Sequence, residues 1–249
     1  MFPLRDENPT ELLPFVTALL IGTNVLVWLG VQGAGAGELF LRSLCEYGAI
    51  PGEITGAIAT GSRVPLGPAR CTTGGGGELT VLTSMFLHGG WMHLIGNMWF
   101  LWVFGNNIED SMGHARFLVF YLLCGGLAAA AHILTDPASG VPVVGASGAI
   151  SGIMGAYLVL YPRVRVHTLV ILLLFVRVIP LPAVALLGLW FLLQVLSGTA
   201  ATAGAGGGVA FWAHVGGFIA GVLLVKLFEN RRLVSAKRAG RRPAGGPSW

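Results

Sequence analysis

Long apolar runs separated by short polar or glycine-rich joints dominate the chain. Six of them, about 14 to 32, 84 to 108, 115 to 134, 145 to 161, 180 to 197 and 209 to 228, reach or approach the roughly 20 largely apolar residues that a helix needs to cross a bilayer. Charges, prolines and glycines set their ends. The pattern predicts an all-α membrane protein, a six-transmembrane-helix bundle over 12–228, with a cytoplasmic segment 1–11 before it and a basic, disordered cytoplasmic tail 229–249 after it. A long first loop, 33–83, has apolar patches around 38 to 50 that suit short helices lying in the membrane interface. The first run does not read as a cleaved signal peptide: its leader carries Asp6, Glu7 and Glu11 beside Arg5, and no clear small-residue cleavage site follows.

Composition agrees with a membrane protein. Of 249 residues, 54% are hydrophobic and 10% charged, with a mean hydropathy of +0.76, whereas soluble domains carry about a quarter charged residues. The formal charge of +4 does not point to nucleic acid, because the basic residues lie in the tail and short loops with no aromatic-studded binding face. It reads instead as a topology signal. Arg231, Arg232, Lys237, Arg238, Arg241 and Arg242 crowd the tail, and Arg163, Arg165 and Arg177 flank the connection between the fourth and fifth runs, so these segments are expected in the cytoplasm. The first loop, a short loop around Asp136 and an uncharged stretch from 198 to 208 are then external, and the expected location is the cell membrane. Gly204, Gly206, Gly207 and Gly208 give that last stretch the backbone freedom of a flap. Of the three cysteines, Cys124 sits in an apolar run, while Cys45 and Cys71 share the first loop, either as a pair or as free thiols.

Polar groups inside spans are costly and default to functional hypotheses. The second run opens His88-Gly-Gly-Trp-Met-His93-Leu-Ile-Gly-Asn97, the fourth Gly145-Ala-Ser147-Gly148, and the sixth Ala213-His214-Val-Gly-Gly217. All three pass from outside to inside, so their polar ends lie at a similar depth, and one shared site is the simplest reading. His93 and Asn97, four positions apart, stack on one helical face as hydrogen-bond donors. Ser147 begins a helix, where small neighbours leave its hydroxyl reachable and unpaired backbone N–H groups point outward. Gly217 and Gly221 share a face with His214, and Gly148, Gly152 and Gly155 offer a matching smooth face, so close packing of the two helices brings His214 to Ser147.

A serine hydroxyl attacks poorly until a base takes its proton, and a neutral imidazole at hydrogen-bond distance does so. A carboxylate third member has no candidate, since Glu109 and Asp110 lie at the far end of the second run. The expectation is a Ser147/His214 dyad whose base is oriented by packing. The Ser147 N–H, His93 and Asn97 then meet the charge that develops on the attacked carbonyl. His88, His93 and His214 lack the cysteine or carboxylate that would complete a metal shell, and no metal or cofactor is expected.

Plainer readings fit other residues. Ser151 suits a bond to the backbone carbonyl one turn earlier. His114, His132 and His167 suit structural bridges, His88 fits either class, and Trp91, Trp99 and Trp102 suit packing or interface anchoring.

Taken together, His93-x-x-x-Asn97, Gly145-Ala-Ser147-Gly148 and Ala213-His214-Val-Gly-Gly217 with Gly221 resemble the rhomboid family of intramembrane serine proteases, in order, spacing and membrane placement. The resemblance implies a catalytic dyad of Ser147 and His214, and an oxyanion site that includes His93 and Asn97. It further implies a water-filled cavity open to the outside, a flexible cap before the sixth span, and the fifth span as a lateral gate. Two positions depart from the family pattern: Glu78-Leu79-Thr80-Val81 stands where many members carry Trp-Arg, and Ser151 stands where members often stack an aromatic ring on the histidine. The expected function is endopeptidase cleavage of transmembrane segments near the outer leaflet through an acyl-enzyme. The expected partners are transmembrane protein substrates and the lipid bilayer. The alternative is a weak or inactive relative that binds or escorts membrane helices. A solute channel fits less well, because the polarity stops partway along the spans.

Overall fold

The computed structural model describes residues 1–67, 69–74, 76–172, 175–202 and 209–238. In chain order these form β1 (Phe2–Asp6), α1 (Phe15–Gly30), α2 (Gly37–Tyr47), α3 (Pro51–Ile54), β2 (Arg63–Leu66), β3 (Ala69–Thr72), α4 (Thr80–Thr83), α5 (Trp91–Phe100), α6 (Asn106–Met112), α7 (His114–Thr135), α8 (Ser147–Leu160), β4 (Arg165–Leu172), β5 (Phe175–Pro182), α9 (Ala183–Ala200), α10 (Phe211–Phe228) and α11 (Arg231–Arg238). A wide π-type turn over Leu101–Gly105 joins α5 to α6. Among the described residues, α7, α9 and α10 are long and apolar enough to cross a membrane, while α1 and α8 are apolar but shorter.

The apolar character of α8 on every side follows from its place in the bundle. Every residue from Gly148 to Tyr157 is buried, and the helix packs chiefly on α10 and α7. A helix apolar all round is stable only when other helices surround it. The outward faces of those neighbours are apolar too: Leu123 and Leu127 on α7, Leu192, Leu193 and Leu196 on α9, and Leu223 and Leu227 on α10 are exposed. So broad an apolar belt suits lipid and not water.

The α8–α10 seam explains the glycine spacing. A Cβ at Gly217 would collide with the carbonyl oxygen of Gly148, one at Gly221 with that of Gly152, and one at Gly155 with that of Phe218. Small residues let the two backbones touch, and the attraction between them comes from packing.

Among the described residues, two sheets stand beside the helices and correct the purely helical expectation. In the first, β4 pairs antiparallel with β5 from Arg165↔Pro182 to Leu172↔Phe175, and β1 pairs with the other edge of β4. The segment read as a plain connection between the fourth and fifth runs is thus a hairpin. Its sequence fits: Val166, Thr168 and Val170 are buried at every second position, and β-branched residues favour a pleated, half-buried surface. The second sheet is the hairpin of β2 and β3 in the first loop. There Cys45, in α2, forms a disulfide with Cys71, in β3.

The tail also differs from expectation. Residues 231–238 form α11 where a loose segment was predicted, because its Lys237 reaches into a buried polar cluster. The Lys237 ammonium donates to Asp110 Oδ2 and to Asn107 Oδ1, each at 2.8 Å. Burial pushes Lys237 below its ordinary pKa, and the bond to Asp110 partly offsets this. The neighbouring Glu109 carboxylate accepts the backbone N–H groups of Val16 and Thr17, both at 2.8 Å. It therefore satisfies orphan donors in the first turn of α1, where negative charge is favoured. Residues 239–249 of the predicted tail lie outside the described residues.

Candidate active site

Ser147 is the first residue of α8. The chain enters this helix through Gly145, whose φ of +128° is a region L side chains rarely adopt. Space forbids a side chain there as well, since a Cβ would sit 2.8 Å from both Cε1 and Nε2 of His93. The Gly145 N–H donates to the Ser84 carbonyl at 2.9 Å, which pins the turn. The first intrahelical bond of α8 is Ile150 N–H to Ala146 O at 3.0 Å, so the N–H groups of Ser147, Gly148 and Ala149 precede it as the orphan donors of a helix start.

His214 stands in the first turn of α10. Its Nε2 lies 2.8 Å from Ser147 Oγ, and its Nδ1 lies 2.7 Å from Oε1 of Gln194 on α9. A neutral imidazole carries one proton, and with the carbonyl oxygen of Gln194 facing Nδ1, that proton belongs on Nδ1. Nε2 is left with its lone pair toward the serine. Trp190, one turn before Gln194, places its ring 5.9 Å from that of His214 at a tilt of 35°.

His93 carries the complementary tautomer. Its Nδ1 accepts the Gly89 N–H at 3.2 Å, so its ring proton resides on Nε2, the atom that faces the Gly145 turn. Asn97 spends one amide hydrogen on the His93 carbonyl, at 3.0 Å, and retains a second. Ser147, His214, His93 and Asn97 all line one cavity of about 920 Å³, together with Trp190 and Met154. That volume lies toward the upper end of ordinary ligand pockets, roughly 300–1,000 Å³.

The structure thus brings Ser147, His214, His93 and Asn97 to one cavity wall. It puts Gly145 at the turn beside them and Gly148, Gly217 and Gly221 in the seam that sets their spacing. Ser151 donates to the Ser147 carbonyl at 2.7 Å. His114 bonds Glu109 and His167 bonds Glu7. His88 lies outside the cavity lining. Its ring packs edge-on to His93 at 5.1 Å, and its backbone is clasped by Gln32, which accepts its N–H at 2.7 Å and donates to its carbonyl at 2.9 Å. The expected cap at 198–208 is only partly visible: Gly198 to Ala200 end α9, and residues 203–208 lie outside the described residues. Sequence reasoning missed Gln194 and Trp190. The available signal was a lone amide in the otherwise apolar fifth run.

A family model described as "Rhomboid domain" matches residues 76–231, well over half of the chain. The chain belongs to the rhomboid family. The rhomboid match begins after the disulfide-linked hairpin and ends at the start of α11, so β1, α1 and most of the first loop lie outside it. The chain is similar to "Rhomboid protein 1, mitochondrial" of Saccharomyces cerevisiae, 32% identical over 66% of this chain and 47% of that protein. It is also similar to two proteins of Bacillus subtilis, the "Putative rhomboid protease YdcA", 38% identical over 31% of this chain and 39% of that protein, and the "Rhomboid protease GluP", 41% identical over 31% and 15%. The chain spans less than half the length of the curated relatives it matches.

Proposed function

We propose that this rhomboid is an intramembrane serine endopeptidase, with Ser147 as nucleophile and His214 as base, acting on transmembrane segments of other membrane proteins. The 2.8 Å contact between His214 Nε2 and Ser147 Oγ, on the wall of a large cavity and beside unpaired helix N–H groups, carries this reading.

Ser147 Oγ attacks the scissile carbonyl carbon while its proton passes to His214 Nε2. The carbonyl oxygen becomes an oxyanion and receives hydrogen bonds from the Ser147 N–H, the Nε2–H of His93 and the free amide hydrogen of Asn97. Such donors count most where water is scarce. Collapse of the intermediate breaks the C–N bond, and the imidazolium returns its proton to the departing amine. Water then attacks the Ser147 ester, loses its proton to His214, and releases the acid and the serine hydroxyl. The substrate helix has to unwind at the cut, because a helical carbonyl is already hydrogen-bonded.

In this reading α1, the α5–α6 segment, α7, α8, α9 and α10 are six spans around the cavity, and both termini are cytoplasmic. The basic α11 supports that orientation. The Cys45–Cys71 disulfide supports an oxidising, external side for the first loop, and the proposed location is the cell membrane.

The test is purified protein in detergent with a labelled model transmembrane substrate, comparing wild type with Ser147→Ala and His214→Ala. Cleavage is expected to vanish in both. Retained cleavage in either overturns the dyad.

A further inference from the structure

We propose that Gln194 is the positioning residue for His214, so that the fifth helix supplies the third member of a neutral, hydrogen-bonded Ser147–His214–Gln194 chain. This rests on the dyad reading above and answers what that reading leaves open, namely what holds the base.

A histidine base needs two things from its surroundings: the proton on the far nitrogen, and a ring plane fixed toward the nucleophile. In the familiar triad a carboxylate provides both by accepting the far N–H. Among the described residues, the His214 ring hydrogen-bonds Ser147 and Gln194 and no carboxylate. Gln194 Oε1 stands instead at 2.7 Å from Nδ1, collinear in role with that carboxylate. A carboxamide oxygen accepts the same N–H hydrogen bond without bringing a charge into an apolar bundle, where an isolated charge is costly. What it forgoes is the Coulombic support of a full negative charge for the imidazolium.

Trp190 strengthens the assignment. It lies one turn from Gln194, and its ring faces that of His214 at a tilt of 35°. It also packs on Phe218, at 6.1 Å, which lies one turn beyond His214 on α10. Ser151, meanwhile, is turned away into its own helix backbone. The ring wall for the base therefore comes from α9 and not from α8. One helical face, Trp190 with Gln194, both walls the imidazole and accepts its Nδ1–H hydrogen bond. The orienting group sits on a different helix from either reacting residue, so the base is held in place only with α9 packed against α10.

The experiment compares Gln194→Met, which keeps the bulk and removes the acceptor, with Gln194→Glu, which keeps an acceptor. Each is assayed for cleavage of the labelled transmembrane substrate and for its thermal midpoint in detergent, with Ser147→Ala alongside. The expected result for Gln194→Met is a fall in kcat of roughly ten- to a hundredfold, the range for a hydrogen bond to a group that becomes charged in the reaction. KM and the thermal midpoint should stay near wild type, and Gln194→Glu should recover most of the loss. Wild-type kcat in Gln194→Met overturns the proposal, as does an equal loss in the Met and Glu variants. Residual cleavage in Ser147→Ala would instead overturn the dyad reading itself, so the two failures are distinguishable.

Discussion

Adding one methyl group to the α8–α10 seam tests whether catalysis depends on backbone contact between these helices. In Gly217→Ala the new Cβ would collide with the Gly148 carbonyl oxygen and lie 2.9 Å from the Gly148 carbonyl carbon. Both obstacles are backbone, so no rotamer change relieves them. Carbon contacts relax at about 3.5–4.0 Å, so the helices have to part by about 1 Å. Gly148 adjoins Ser147, and Gly217 lies one turn from His214, so most of that movement enters the 2.8 Å bond between Ser147 Oγ and His214 Nε2. A misplacement of about 1 Å is enough to lower turnover roughly a hundredfold. The overpacking itself costs about 1–3 kcal/mol. Cleavage of a labelled transmembrane substrate and thermal unfolding in detergent measure the two effects. Gly22→Ala, where a Cβ meets nothing within 4 Å, serves as the neutral control. Wild-type turnover in Gly217→Ala would refute the link between seam and site.

Two further outcomes are expected. Asn97→Ala should lower kcat by roughly ten- to a thousandfold, on the scale of losing one oxyanion donor, and unchanged kcat in the same cleavage assay removes Asn97 from the site. The Asp6 carboxyl is held above its ordinary value, chiefly by burial, with the hydrogen bond from Tyr157 partly offsetting this. The folded state therefore keeps the Asp6 proton longer than the unfolded chain does, and this contribution is complete below about pH 4 and lost as pH rises through the raised folded value. Thermal midpoints across that window should decline in the wild type and flatten in Asp6→Asn, whose side-chain oxygen can still accept from Asn107 and Tyr157. Equal slopes in both proteins refute the assignment.

The parts of the molecule that were legible in the sequence are those where a local pattern carries the information. Gly145-Ala-Ser147-Gly148 announces a helix start because only glycine tolerates the φ of +128° before it. The spacing of Gly217 and Gly221 announces a seam because glycines a turn apart share a face. The parts that were not legible depend on which segments meet. The β4–β5 hairpin has a period-two burial of Val166, Thr168 and Val170, but in the sequence its short apolar run reads as a connection between two spans. Lys237 reads as one more basic tail residue until Asp110 and Asn107 are seen to receive it across 127 and 130 residues of chain. Gln194 is the instructive case. Its partner lies on the next span, and no spacing within the fifth run signals that Oε1 meets a histidine ring. The rule that polar groups inside spans need a reason applied to it as much as to His93 and Asn97. Similarly, Ser151 stands where family members often place an aromatic ring, and that ring is supplied here by Trp190 from another helix.

In the proposed mechanism Ser147 is a nucleophile made reactive by His214. A fluorophosphonate probe tests it most directly, because it phosphonylates only an activated serine and its site is read by peptide mass spectrometry. A single adduct is expected on Ser147, absent in Ser147→Ala and strongly slowed in His214→Ala. An adduct on another serine, or labelling of Ser147 at the same rate without His214, would contradict it.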